Sequence, residues 1–86
     1  IVAMGHLIVA LQTIVSRNID PMQSAVVSIG QVHGGSASNQ IPTSVFIEGT
    51  FRTFVAEVRE RLLGRINAIA QNMAATFEME AEVETM

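Results

Sequence analysis

Apolar side chains recur at three- and four-residue steps through the first fifteen positions: Met4, Leu7, Ile8, Leu11, Ile14 and Val15. That spacing places them on one face of an α-helix. Val9 and Ala10 widen the face, which predicts a helix covered on more than one side. Asp20-Pro21 disfavours continuation, so the helix is expected to end near Ser16–Asn18. Next, Ser24–His33 (SAVVSIGQVH) is rich in β-branched residues and runs into Gly34-Gly35, a strand followed by a sharp turn that needs positive φ. Ser44–Arg52 (SVFIEGTFR) alternates, with Val45, Ile47, Gly49 and Phe51 on one side and Phe46, Glu48, Thr50 and Arg52 on the other. It reads as a second strand. The ten residues between them, Gly34–Thr43, are more than a tight hairpin requires, and long polar loops often carry function.

A second helix is predicted from Phe54 to Ala75, with Val55, Val58, Leu62, Ile66, Ile69 and Met73 as its buried stripe and Leu63 and Ala70 beside it. Thr53 is placed to cap its start, and Glu57 and Arg61, four apart in the favourable order, support the exposed face. Last, Phe77, Met79, Ala81 and Val83 alternate with Glu78, Glu80, Glu82 and Glu84, the strictest period of two in the chain and the clearest strand pattern in it.

The order is α-β-β-α-β, which predicts an α+β two-layer sandwich with both helices on one face of the sheet. One further strand ahead of the first helix would complete the ferredoxin-like unit β-α-β-β-α-β. That strand would be central, so without it Ser44–Arg52 and Phe77–Glu84 each expose an unpaired edge, and the chain is expected to associate. Residues 1–86 read as a single domain with no repeat, low-complexity tract or linker. The start at Ile1, without methionine and inside an apolar helical pattern, is what an excised piece of a longer chain would show.

Composition narrows the function classes. At 49% hydrophobic and 15% charged, the chain is no disordered tail. Its size makes it marginal alone and favours a partner. All five basic residues are arginines and the net charge is −3, with no Trp and no Tyr, a poor composition for binding nucleic acid. There is no cysteine, hence no disulfide framework, thiolate metal site or cysteine nucleophile, in keeping with a reducing cytoplasm. Ile1–Val15 is shorter than the roughly 20 residues a bilayer span needs and is interrupted by Gly5, His6, Gln12 and Thr13, so no membrane segment is expected.

No catalytic constellation is visible. His6 and His33 have no companions at ligand spacing; they read as a helix-surface or interface residue and a strand-end polar residue. Ser36 and Ser38 lack a placed base. The four alternating glutamates are about 7 Å apart from one to the next, too far for all to hold one ion, and read as a solvated face. Two residues stand out: Asn39, in the long loop just before Ile41-Pro42, and Arg52, 13 positions later. An amide and a guanidinium together suit a carboxylate and a carbonyl oxygen.

The order of the motifs is more specific than any one of them. A Gly-Gly turn, Asn-x-Ile-Pro from Asn39 to Pro42, and Gly-Thr-x-Arg-Thr from Gly49 to Thr53 stand in the run VVSIGQVHGGSASNQIPTSVFIEGTFR. With LQTIVSRNIDP before it, VAEVRER after it and the acidic final segment, nearly the whole chain resembles the aminoacylase, hippurate hydrolase and indole-acetyl-amino-acid hydrolase family of dinuclear-metal amidohydrolases. The resemblance implies the lid, or dimerisation, domain of such an enzyme, with the ferredoxin-like order derived above less its first strand. It implies a homodimer formed through a sheet edge and a helix, and a catalytic domain elsewhere in the parent chain that binds two divalent ions, zinc or manganese. None of the family's metal ligands nor its glutamate base is present here. The family's lid histidine would fall upstream of Ile1, and His6 does not match it. By position Asn39 and Arg52 match lid residues that bind the substrate's carboxylate or amide, in some relatives across the dimer interface. The fragment alone is then expected to be inert. The alternative is a free-standing ferredoxin-like regulatory module that binds a small ligand; an RNA-binding sheet ranks third, given the acidity and the lack of stacking Tyr or Trp.

Overall fold

The computed structural model describes residues 1–19 and 25–85. The first helix, α1, spans Val2–Thr13 and continues as a π-helical turn over Ile14–Asn18. Its end agrees with the sequence expectation; Asp20-Pro21, the feature that suggested it, and Ser24, the expected start of the first strand, lie outside the described residues. Strands β1 (Ala25–Gly34) and β2 (Val45–Thr53) form an antiparallel pair, and helix α2 follows over Ala56–Thr76.

Inward-facing residues of the hairpin (Ala25, Val27, Ile29 and Phe51) pack on a cluster made by Leu11, Ile14, Ile19, Val58 and Leu62, joined by Leu7, Ile66 and Ile69. Both helices therefore lie against one face of the sheet, as the period-two and period-3.6 patterns require of two amphipathic layers. Ile14 and Leu62 are wholly enclosed. The start of α2 falls two residues later than the pattern suggested: Val55 is its N-cap, and Thr53 accepts a hydrogen bond from the Val55 N–H (3.4 Å) instead of capping the first turn.

One irregularity sets the register. Ile29 faces Gly49 and Gln31 faces Glu48, so Gly30 is an extra residue in β1, a β-bulge. A slip of one residue exchanges the two faces of a strand. Beyond the bulge, Val32 comes opposite Ile47 and His33 opposite Phe46, which turns His33 to the outer face. Gly49 makes the close approach possible, because a Cβ there would collide with the Ser28 carbonyl oxygen.

Two expectations need correction. The first helix is covered on one side only: Val2 and Val9 are 68% and 69% exposed, since no other described element reaches that face. More consequential is the final segment. Phe77–Glu84 is not a strand, and the sheet described has two strands. Instead Glu78 enters the left-handed region (φ 57°), the Met79 N–H donates to the Ala74 carbonyl (2.8 Å) and the Glu78 N–H to Ala75 (3.1 Å). These paired bonds close the end of α2 as a Schellman cap. The observed order is α-β-β-α, an α+β arrangement without the final strand.

Candidate functional site

At the far end of the hairpin, β1 turns out of the ladder at Gly35, whose φ of 95° is open to glycine at little cost. The loop then folds on itself. The Gln40 N–H donates to the Ala37 carbonyl (3.3 Å), and the Ser36 hydroxyl lies 3.5 Å from Gln40 Oε1. This turn presents Asn39 to solvent. Residues 38–42, the first turn of α1, and Phe77 and Met79 after α2 together border a groove of about 580 Å³. A smaller hollow of about 340 Å³ lies on the other side of the loop, again bordered by Gln40, Ile41 and Pro42.

Arg52 is elsewhere. It lies near the end of β2, on the exposed outer face, opposite Val26. From Val45, where the loop ends, to Arg52 is seven strand residues, or about 24 Å at 3.4 Å per residue. The two residues singled out by the sequence are thus not brought together within one chain, and a single small ligand cannot touch both in one copy.

His33 also lies on the outer face. Its Nε2 is 3.0 Å from Gln31 Oε1, and its ring is 6.2 Å from that of Phe46. His6, exposed on α1, stands 5.3 Å from the Phe77 ring, linking the first helix to the cap of the second. Among the described residues no three His, Cys, Asp or Glu side chains gather where they could hold a metal ion. A pair of divalent ions therefore does not fit the side chains described here. No helix among the described residues is long and apolar enough to cross a membrane.

Sequence reasoning missed the apolar side of the groove. Ile41 is 91% exposed, the largest exposure of any big apolar side chain in the described chain, and it lies beside Asn39 with Phe77 and Met79 across from it. Periodicity says nothing about an isolated loop residue, and the alternation assigns Phe77 and Met79 to a strand. The one signal available was an isoleucine set between polar residues and a proline in a loop otherwise polar.

Residues 1–78 match the family model described as the peptidase dimerisation domain. The chain is 49% identical over 84 residues to the N-acetyl-L-cysteine deacetylase of Bacillus subtilis (strain 168), covering 98% of this chain and 20% of that protein. It is 42% identical over 84 residues to the N-acetyldiaminopimelate deacetylase of Bacillus cytotoxicus, covering 98% and 22%. A crystal structure of an aminohydrolase from methicillin-resistant Staphylococcus aureus superposes with a TM-score of 0.86 at 30% identity, over 90% of this chain and 20% of that one. The chain thus spans about a fifth of the length of the curated relatives it matches.

Proposed function

The chain belongs to the peptidase dimerisation domain family, and on that premise we propose that it is the dimerisation and substrate-lid domain of a metal-dependent amidohydrolase acting on N-acyl amino acids. The observation that carries the reading is the similarity, end to end, to two deacetylases of N-acetylated amino acids. The domain performs no bond cleavage. It holds two copies together and offers contacts to a substrate processed in a catalytic domain of the longer chain, where two divalent ions, zinc or manganese, are bound by other residues. The absence of cysteine supports a cytoplasmic setting.

Two surfaces support the assembly. Val2 and Val9 leave an apolar stripe on α1 open to solvent, and among the described residues no third strand pairs with the hairpin. An open sheet edge is a template for another strand, so pairing through an edge together with α1 satisfies both. In the longer protein a strand preceding α1 enters beside β2, and Phe77–Glu84 pairs on its far side, restoring the ferredoxin-like order. Asn39 is the substrate-binding residue on the loop, its amide suited to a carboxylate or an amide carbonyl. Arg52 serves as a second carboxylate contact. Because about 24 Å of β2 lies between Val45, where the loop ends, and Arg52, one small ligand meets both when two copies each contribute one.

The reading is tested on the purified chain by light scattering and by assay of N-acetyl amino acids with added zinc or manganese. A dimer without hydrolysis is expected. A persistent monomer at micromolar concentration counts against the assembly, and hydrolysis by the chain alone overturns the assignment of chemistry to another domain.

A further inference from the structure

At the end of the hairpin away from the Asn39 loop, β2 bends into α2 through Phe54 and Val55. Phe54 is 88% exposed, more than any other aromatic side chain among the described residues. Val55, the N-cap of α2, and Val26, the second residue of β1 and opposite Arg52, are exposed at the same corner. Apolar side chains exposed singly are ordinary; three at one corner make a patch that a partner can cover. No role within the domain uses the ring. A residue just before an N-cap often packs on the fourth residue of its helix. Here that residue is Arg59, whose guanidinium lies 5.5 Å from the centroid of the Phe51 ring instead. Phe54 takes no part in the core cluster either. The Val55 N–H donates to Thr53 Oγ1 (3.4 Å) across the bend, a bond internal to the turn that leaves the ring outside.

Resting on the reading of this chain as one domain of a longer enzyme, we infer that Phe54, Val55 and Val26 are the seat on which the catalytic domain of the same chain docks. Two observations select that occupant. The chain spans about a fifth of the length of its curated relatives, so most of such an enzyme lies outside it. Both connections to that remainder also lead to this corner. Helix α2 starts here and ends beside the Asn39 loop, and the residues after it turn back, so that the Ala81 carbonyl is already level with Gln71. Their direction is toward the start of α2, and it is the same whether the segment caps the helix or pairs as a strand. The first turn of α1 borders the Asn39 loop, so the strand proposed to lead into it beside β2 begins at the opposite end, next to Phe54. Two connections at one corner hold the domains at high effective concentration. A patch of three apolar side chains then suffices, where it would not hold two separate proteins. Without such a seat, two linked domains move freely relative to each other.

The test places 4-fluorophenylalanine at position 54 and compares the 86-residue chain with the longer protein, reading the fluorine signal against the soluble nitroxide TEMPOL. Strong attenuation is expected in the short chain and protection in the longer one. Phe54→Ser is expected to leave the urea midpoint of the 86-residue chain unchanged, because the ring is exposed. In the longer protein the same substitution is expected to speed cleavage of the interdomain connections by proteinase K about 10-fold, as loss of a buried aromatic anchor does to an interface. Equal attenuation in both proteins, or an unchanged cleavage rate, overturns the seat. So does a lowered urea midpoint, which would assign the ring to the domain's own stability. Protection that develops in the 86-residue chain as its concentration rises gives the patch to a second copy and overturns it as well. Hydrolysis of N-acetyl amino acids by the longer protein is measured alongside. If it is present while the ring stays accessible, only the seat falls; if it is absent, the proposed function falls.

Discussion

Two stretches of this chain carry the alternation of a β-strand, and only one of them is a strand. In Val45–Thr53 the pattern is broken by Phe46 and Gly49, yet the segment forms a ladder with Ala25–Gly34. In Phe77–Glu84 the pattern is unbroken, yet the chain enters a helix cap and continues without pairing. Burial follows the alternation only in the strand: Val45 and Ile47 are half-buried beside exposed Phe46 and Glu48, whereas in the final segment Phe77 and Ala81 are half-buried but Met79 and Val83 are exposed along with the glutamates. Alternation by itself therefore does not set which side of a segment faces the body. A ladder needs in addition a neighbouring edge within hydrogen-bonding distance, and β2 has one through its hairpin connection. Residues 79–85 have none among the described residues, and Gln71 Nε2 donates to the Ala81 carbonyl (3.1 Å) where a strand would otherwise donate.

If the hairpin owes its stability to the helices beneath it, removing that support breaks the comparison most completely. Leu62 is wholly enclosed at the centre of the cluster that meets Val27, Ile29 and Phe51. Leu62→Ala is expected to destabilise the chain by about 3 kcal/mol, measured by urea unfolding. For a domain of this size that is a large share of the total. Amides of β1 and β2 should lose their hydrogen-exchange protection together with those of α2, whereas Glu80–Glu84, with no ladder to lose, should exchange quickly before and after.

A narrower change breaks the ladder and spares the helices. A Cβ at Gly49 meets the Ser28 carbonyl and the Ile29 side chain beside the bulge. Gly49→Val raises strand propensity and perfects the alternation on paper, yet it is expected to destabilise by about 2 kcal/mol through overpacking. Loss of protection at Val27–Ile29 would mark the site of damage. A stabilised Gly49→Val variant would show that pattern outweighs local geometry here.

The same distinction explains how much was legible in the sequence. The two helices, the hairpin, the turn at Gly35 and the single face that holds the core all arise from side-chain periodicity and local backbone preference, which act within a few residues. The cap at Glu78 depends on residues 79–85 having no strand to pair with, and the bulge at Gly30 on a fit between two strands; neither is written in one segment alone. For the candidate site, Asn39 and Arg52 were legible as residue types in a motif, but their separation along β2 was not, since it depends on which end of the hairpin each occupies. Ile41 was not legible, because isolated apolar loop residues carry no periodic signal.

Glu78→Gly sharpens the comparison from the other side, by favouring the cap over the strand. A non-glycine residue at φ 57° bears roughly 1–2 kcal/mol of local strain, and glycine gives back about 0.5–1 kcal/mol through its greater freedom in the unfolded chain. The net expectation is a stabilisation of about 0.5–1 kcal/mol, or an increase in Tm of about 4 °C. In the longer protein, where the segment is proposed to pair, the same substitution should instead be neutral or mildly destabilising, since glycine is a weak strand residue. An opposite sign in the two contexts is what a segment with two alternative partners produces.

The smallest effect concerns the bond that takes the place of the missing ladder. Gln71 lies on the exposed side of α2, and its amide reaches both Asn67 Oδ1 (3.4 Å) and the Ala81 carbonyl (3.1 Å). Exposed hydrogen bonds of this kind contribute little beyond what water offers, so Gln71→Ala should cost about 0.5 kcal/mol, partly offset by the better helix propensity of alanine. The informative readout is local: amide relaxation of Ala81–Glu84 should report faster motion while the signals of β1 and β2 stay where they are. If Gln71→Ala left Ala81–Glu84 as ordered as before, their position would rest on the apolar contacts of Phe77 and Ala81 alone. Two half-buried side chains, without any hydrogen-bonded partner, would then suffice to hold the segment against the helix.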